Sequence, residues 1–426
     1  MRMSIHIGKT LREIPKDVEI ISHQFLVRGG YIHQYASGLY ALMPIAQRII
    51  GKIQKICHQF MQQRMGAQEV LMTNLSPEEI WKPSGRSVSL GSDMFRLQDR
   101  QKGSFVLCFT HEEPVVDMMK SQISSYRQLP VCVYQIQTKF RDEPRPRAGL
   151  IRLREFLMKD AYSFHKKEDD FEAYFNEMAK TYELFFKAVG FTNVISVKSD
   201  NGNFGGNFSQ EFILPTEIGE DTILTCQKCG MIANQEVLEN PSTDGACPQA
   251  TCPFEKSKGM ELGHIFHLGD RYTKPLGCYY TDEKGQKQIP EMGCYGIGIT
   301  RLLPAIMETH HDEKGPIFPL TVAPYEIHLI HFKGCFDKAE EIYQSLIGEQ
   351  LEVLWDDREE KPGAAFADAD LIGIPFRIIV TPRSLEKNMV EVRRRDPSIP
   401  PTDIPVDQII NFMTQALDTE YKLYLG

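Results

Sequence analysis

The chain has 426 residues, 42% hydrophobic and 25% charged, with 57 acidic against 48 basic side chains and a formal net charge of −9. That is the composition of an ordinary globular chain of two or three domains: its apolar stretches are too short to span a membrane, it is too apolar to be disordered, and it is too acidic overall to bind nucleic acid nonspecifically. Ten cysteines behind a first segment, MRMSIHIGKTLREIPKDVE, that lacks an apolar export core point to a reduced, cytoplasmic setting rather than a disulfide framework.

Ile49, Ile53, Ile56, Cys57, Phe60 and Met61 recur at helical spacing and predict a long amphipathic helix from Ile45 to Met65, stopped at Gly66, after which Gln68 to Met72 reads as a strand. The run FTHEEP, Phe109 to Pro114, fits a capping box in which Thr110 and Glu113 begin a helix; the functional reading instead leaves Thr110 and Glu112 for a cationic amine. Val131 to Phe140 and Arg152 to Asp160 predict two strands joined by a loop at Pro144 to Gly149. Period-two alternation would put Arg152, Arg154, Phe156, Met158 and Asp160 on one face, with Arg141 and Glu143 sharing a face across the loop. Five arginines within fourteen residues suit a phosphate-rich ligand, with a planar ring stacked on Phe156 and an exocyclic amine on Glu143; an ion-paired, solvated hairpin is the competing reading.

A second helix is written by Phe171, Tyr174, Phe175, Met178, Tyr182 and Phe185 and ends near Gly190. Further short runs, Thr222 to Cys226 and His264 to Leu268, predict a largely antiparallel sheet with helices around it, an α+β fold. Four grouped cysteines, Cys226, Cys229, Cys247 and Cys252, give two thiol pairs that suit a structural zinc ion, although the second pair has four intervening residues; a metal-free knuckle is the alternative. In MGCYGIGITRLL, Gly296 and Gly298 allow close backbone approach and Arg301 falls on the first turn of a helix, whose amides also favour anions. After Pro324 the pattern changes: IHLIHF, a helix through Ala339 to Ile347, LEVLWDD, a helix near Ala364 to Leu371, FRIIVTP and MVEVRRRD alternate as in a small α/β domain, with a boundary near residue 325.

Together these runs resemble the class II aminoacyl-tRNA synthetases, and within them the prolyl-tRNA synthetases of bacterial type. Phe140, Arg141 and Glu143, then Arg152, Phe156 and Asp160, fill the second class motif; Gly296, Gly298 and Arg301 close the third, with Cys294 and Thr300 as in the prolyl subgroup; THEE, GHIF, DDR and FADADLIGIP are similar too. The resemblance implies an antiparallel synthetase sheet over residues 1–325, with the short cysteine segment 222–258 where an editing insertion often stands, and an α/β anticodon-binding domain over 326–426. It implies ATP-dependent ligation of proline to tRNA(Pro) through a prolyl-adenylate, with Mg2+, in a homodimer and without a membrane.

By the same resemblance, Arg141 bridges the α-phosphate and the proline carboxylate, Arg301 holds the γ-phosphate, and Phe156 and Glu143 meet adenine. Arg152, His264 and Gly298 join the ATP site, with Glu261 a magnesium ligand. Thr110 and Glu112 meet the proline nitrogen, and Met158, His264 and Phe266 lie near its ring. Arg358, Lys361, Arg393 and Arg395 are the expected tRNA contacts, with a solvated charge cluster as the alternative. Four departures from the family stand out: Thr73 where the first motif ends in proline, Phe109 where proline precedes THEE, Ala365 in a run that lacks the usual lysine, and no editing insertion. The other reading is a synthetase-like paralogue that adenylates for another carrier or only binds tRNA; retention of Arg141, Arg152, Arg301 and the last domain argues against it.

Overall fold

The computed structural model describes residues 1–14, 16, 18–199, 202–228, 232–235 and 254–425. They fall into two units, one of Gln54–Phe186 and Thr192–Leu302, the other of Met1–Ile53, Lys187–Phe191 and Leu303–Gly426. Among the described residues no helix is long and apolar enough to cross a membrane.

The first unit is built on a nine-stranded sheet. Its strands are β1 (Gln68–Glu69), β2 (Val131–Phe140), β3 (Glu155–His165), β4 (Ile195–Ser199), β5 (Phe208–Pro215), β6 (Asp221–Cys226), β7 (Ile232–Asn234), β8 (Phe254–Gly269) and β9 (Glu291–Ile297), in the spatial order β5-β4-β7-β6-β8-β9-β3-β2-β1. Nearly all the pairings are antiparallel, as the short alternating runs require; β1 lies parallel to β2 and a single bridge joins β7 to β4 in parallel. In β3 the register separates two faces. Lys159 points away from the site and is fully buried against the hydroxyl of Tyr182, 2.5 Å away, while Phe156, Met158 and Asp160 line the opposite side. Gly293 in β9 is required by crowding, because a Cβ there would sit 2.3 Å from the Tyr295 hydroxyl and 2.7 Å from Phe171.

Helix α1 (Pro44–Gln59) follows the predicted periodicity but does not run to Met65: Phe60–Arg64 winds as a π-turn, closed by the Met65 amide on the Phe60 carbonyl, before Gly66 takes a φ of +61°. Beyond Glu69 the expected strand dissolves. Met72 is held by side chains instead, its amide donating to Gln135 (3.0 Å) and its carbonyl accepting from Gln137 (3.1 Å), which ends the ladder at two residues. Helix α2 (Glu112–Met119) packs Val115, Val116 and Met119 into a core with Phe164, Phe266 and Met292. Helix α3 (Glu168–Val189) lays Phe171, Phe175 and Tyr182 on the sheet, against His267, Phe208 and Phe212 at ring distances of 4.0, 5.0 and 5.0 Å. Helix α4 (Ile299–Thr309) starts directly after β9.

In the other unit the alternation after Pro324 is realised as β10 (Ile327–His331), α5 (Phe336–Gly348), β11 (Val353–Asp356), α6 (Pro362–Ile372), β12 (Phe376–Val380), β13 (Met389–Arg394), β14 (Thr402–Pro405) and α7 (Ile409–Leu425). The sheet order is β11-β10-β12-β13-β14, parallel over its first three strands and antiparallel thereafter. Its core gathers Leu329, Trp355 and Ile378 from the sheet with Ile342 and Leu346 of α5 and Met413 and Leu417 of α7.

Candidate functional site

A cavity of about 400 Å³ opens on the face of the antiparallel sheet. It is lined by Thr110, Arg141, Glu143, Arg152, Phe156, Met158, Glu261, His264, Phe266, Gly298 and Arg301, so residues drawn from stretches nearly two hundred positions apart meet around one volume. Glu112 lies just behind it, fully buried.

At one wall the Arg141 guanidinium is sandwiched between two rings, 4.2 Å from the centroid of Phe109 and 5.2 Å from that of Phe156. Phe109, noted above as a departure from the expected proline, thus packs directly on this arginine. Among the described residues Arg141 forms no ion pair, and its Nε is buried without a hydrogen-bond partner. Burial lowers its pKa to about 10, with the neighbouring cations Arg301 and Arg86 adding to the effect and Glu261 opposing it. A guanidinium that lines the cavity, with a buried and unpartnered Nε and no ion pair among the described residues, suits an anionic ligand.

Across the cavity Arg301, on the first turn of α4, donates to the carbonyls of Glu261 (2.8 Å) and Ile151 (3.2 Å). The Glu261 carboxylate sits 3.2 Å from His264 Nδ1, and Glu211 lies 3.6 Å from the same nitrogen. Burial pushes Glu261 up, but the His264 hydrogen bond and the charges of His264, Arg301 and Arg141 outweigh it and hold the acid at about 2. Burial and the nearby Glu261 charge push Glu211 the other way. Glu211, Glu261 and His264 offer ligand atoms within 4.8 Å of one another, and the two carboxylates suit a hard divalent cation. His264 also stacks on Phe266 at 3.8 Å, and Phe266 on Phe204 at 4.6 Å, an aromatic wall beside Met158.

The remaining loop residues form a relay of charges. Arg152 bonds Glu143 (2.9 Å) and Glu220 (2.9 Å), and Glu220 in turn holds Arg147. Arg152 and Arg154 were expected on β3; the strand begins only at Glu155, because these arginines are tied to the loop by Glu143, Glu220 and the Glu143 carbonyl. Burial raises the Glu143 acid, but its hydrogen bonds from Arg152 and the Arg145 amide more than compensate, and it is held below the usual range.

The capping box does not form. The α2 N-cap is His111, without a side-chain cap, and Thr110 Oγ1 donates instead to Glu112 Oε1 at 2.9 Å. Cys294 Sγ donates to the same oxygen at 3.2 Å, and Arg86 Nη1 bonds Oε2 at 2.9 Å. Arg86 was not legible as a site residue: it is a single arginine in WKPSGR, and only the fold brings it to Glu112 and Glu113. Beneath the cavity Asp160 is fixed by Lys139 (2.6 Å), Gln135 (2.9 Å) and Tyr162 (2.8 Å), a buried network that also went unread.

In the other unit the four expected tRNA contacts divide. Lys361 is exposed at the N-cap of α6, and Arg393 is exposed beside Glu391 and over Phe366. Arg358 is held by Asp356 (2.7 Å) and Asp368 (2.9 Å). Arg395 is 3% exposed and grips Asp312 with two nitrogens, at 2.7 and 2.8 Å, so its guanidinium belongs to the interior and not to a tRNA-facing surface. Because Arg395 is buried while Asp312 keeps partial contact with water, Arg395→Ala is expected to cost this unit about 1.5–3 kcal/mol, the worth of its charged hydrogen bonds. Denaturant unfolding checks it; a surface arginine would change the midpoint little.

Of the cysteine quartet only Cys226 lies within the described residues, buried at the end of β6; Cys229, Cys247 and Cys252 lie outside them.

Residues 95–310 match the family of tRNA synthetase class II core domains (G, H, P, S and T), and residues 320–416 match the anticodon binding domain. The chain is 40% identical over 408 residues to the proline–tRNA ligase of Ehrlichia chaffeensis, covering 93% of this chain and 96% of that one, and 41% identical over 406 residues to that of Wolbachia pipientis wMel, covering 93% and 95%. Against the proline–tRNA ligase of Coprothermobacter proteolyticus, 33% identical, the aligned span of 537 positions exceeds this whole chain, so that relative holds residues inside the span that are missing here. The fold also matches a crystal structure of prolyl-tRNA synthetase from Cryptosporidium parvum complexed with L-proline and AMP, with a TM-score of 0.76 at 22% identity over 98% of this chain and 79% of that one.

Proposed function

Since the chain belongs to the proline–tRNA ligase family of class II aminoacyl-tRNA synthetases, we propose that the cavity is where ATP and proline react and that its residues divide the work as follows. The enzyme ligates proline to tRNA in two steps. A proline carboxylate oxygen attacks the α-phosphorus of ATP, the bond to pyrophosphate breaks, and the prolyl-adenylate is then attacked at its carbonyl by a hydroxyl of the terminal ribose of tRNA(Pro), releasing AMP. An ionised carboxylate is already a nucleophile, so the first step calls for alignment and charge stabilisation rather than a general base.

Arg141, whose donor is free in the structure, bridges the α-phosphate and the incoming carboxylate. Arg301 takes the γ-phosphate, Phe156 supports the adenine ring, and Glu143 accepts from its amine, with Arg152 and Gly298 completing that side. Thr110 and Glu112 receive the secondary ammonium, and Met158, His264 and Phe266 enclose the ring. Glu261, with Glu211, would hold Mg2+, which when bound neutralises charge on the leaving pyrophosphate. The observation that carries this reading is the meeting of two guanidiniums, Arg141 and Arg301, with a buried carboxylate behind one cavity wall.

Residues 1–325 form the catalytic domain on this reading and 326–426 the anticodon-binding domain, with Lys361 and Arg393 the exposed cations that meet tRNA. A homodimer in the cytoplasm completes it, checked by sedimentation velocity. Zinc on Cys226, Cys229, Cys247 and Cys252 is proposed as structural only; metal analysis of protein prepared without chelator, finding none, would remove it. Pyrophosphate exchange with each amino acid in turn, followed by charging of tRNA(Pro), tests the whole: proline should be the preferred substrate by at least about 10²-fold over alanine. Lacking the insertion, the chain should leave alanyl-tRNA(Pro) intact, and its rapid hydrolysis by the purified protein would contradict that.

A further inference from the structure

Behind the cavity wall, Arg86, Glu112 and Glu113 form a trio whose side chains are all 0% exposed. Glu112 is shared between two environments. Its Oε1 accepts from Thr110 and Cys294, both of which line the cavity, and its Oε2 accepts from Arg86 on the inner side. Arg86 cannot turn elsewhere: the rings of Phe204, Tyr272 and Trp81 enclose its guanidinium at 5.1, 5.5 and 5.6 Å, and its Nε and Nη2 are buried without hydrogen-bond partners. Ser84 secures the third member, donating to Glu113 Oε1 at 2.6 Å while its oxygen accepts from the Arg86 amide at 3.2 Å.

Charge counting gives the arrangement its meaning. An unpaired buried carboxylate would be driven to protonate, whereas one matched to a single guanidinium would have its charge largely cancelled. One guanidinium shared between two carboxylates fixes the orientation of Glu112 and leaves the trio with more carboxylate than guanidinium, so it still attracts a cation. Resting on the reading of Glu112 as the ammonium acceptor, we infer that Arg86 is the positioning residue of the amino-acid subsite: it locks Glu112 with one oxygen toward the cavity, and its pairing with Glu113 as well leaves a surplus negative charge for the substrate nitrogen. The subsite thereby selects amino acids by a charged nitrogen, not by ring shape alone.

The test uses the full chain at pH 8, where the buried Glu113, pushed up by its burial to about 7, is ionised. Arg86→Gln should raise the proline KM in pyrophosphate exchange by about tenfold to hundredfold and leave the ATP KM unchanged; Arg86→Lys, which keeps the charge, should recover a large part of that loss. Glu113→Gln, isosteric and still able to meet Ser84, should raise the proline KM several-fold and narrow the preference for proline over tetrahydrofuran-2-carboxylate, its uncharged ring analogue, measured as a competitor. If Arg86→Gln does not fold, the Glu113→Gln and Arg86→Lys pair decides. An unchanged proline KM, or an equal loss for ATP and proline, overturns the inference. Should the wild type prefer another amino acid, the substrate reading falls, while the same variant ratios measured with that amino acid still decide the role of Arg86.

Discussion

Arg141→Ala is expected to abolish proline-dependent exchange of pyrophosphate into ATP, by about 10³-fold or more, while leaving the protein nearly as stable as before. Two opposing magnitudes set that outcome. Truncation forfeits the contacts with Phe109 and Phe156, each worth about 0.5–2 kcal/mol. It also removes a half-buried cation that forms no ion pair among the described residues and whose desolvation works against the fold. The two terms are of similar size, so activity should collapse while the melting temperature changes little. Joint loss of both would mean that Arg141 is a structural residue, and near wild-type exchange would remove it from the reaction.

For Arg301→Ala the expected result is different in kind: a rise of about hundredfold in the ATP KM with the proline KM changed by less than about threefold. The side chain reaches the cavity from the first turn of α4, where it is tethered to the carbonyls of Glu261 and Ile151 and paired with the Glu261 carboxylate at 3.7 Å. On the proposed division of the cavity it therefore contributes little to the amino-acid subsite of Thr110, Glu112 and Phe266. Steady-state exchange kinetics with each substrate varied separately would show the split, and a proline KM that rises in parallel would place Arg301 in the wrong subsite.

Much of this arrangement is readable from local pattern. Period-two alternation places Phe156, Met158 and Asp160 on one face, which the fold turns to the cavity, and the strand-helix alternation after Pro324 appears in order because each element there is bounded by turn residues. Local pattern fails where a partner lies far along the chain. A triplet of arginines at 393 to 395 looks like a solvated surface, yet Arg395 finds Asp312 and is drawn inside. A threonine and a glutamate three apart look like a helix cap, yet Thr110 turns to Glu112, which Arg86 has fixed from behind. Arg86, Glu211 and the Lys139 partner of Asp160 carry no short-range signature at all, since nothing in an isolated run shows that a charge will be buried opposite another.

The relay from Arg147 through Glu220 and Arg152 to Glu143 has a bearing on how the protein would handle in the laboratory. On the proposed reading a base that took over Glu143 would loosen its hold on Arg152, and the rest of the hairpin, with Arg145 and Arg147 exposed, is tethered by that same chain of contacts. Trypsin should therefore nick the chain after Arg147, the Arg145–Pro146 bond being resistant to it, at a rate that depends on nucleotide, giving a gel-based readout of occupancy that needs neither proline nor tRNA.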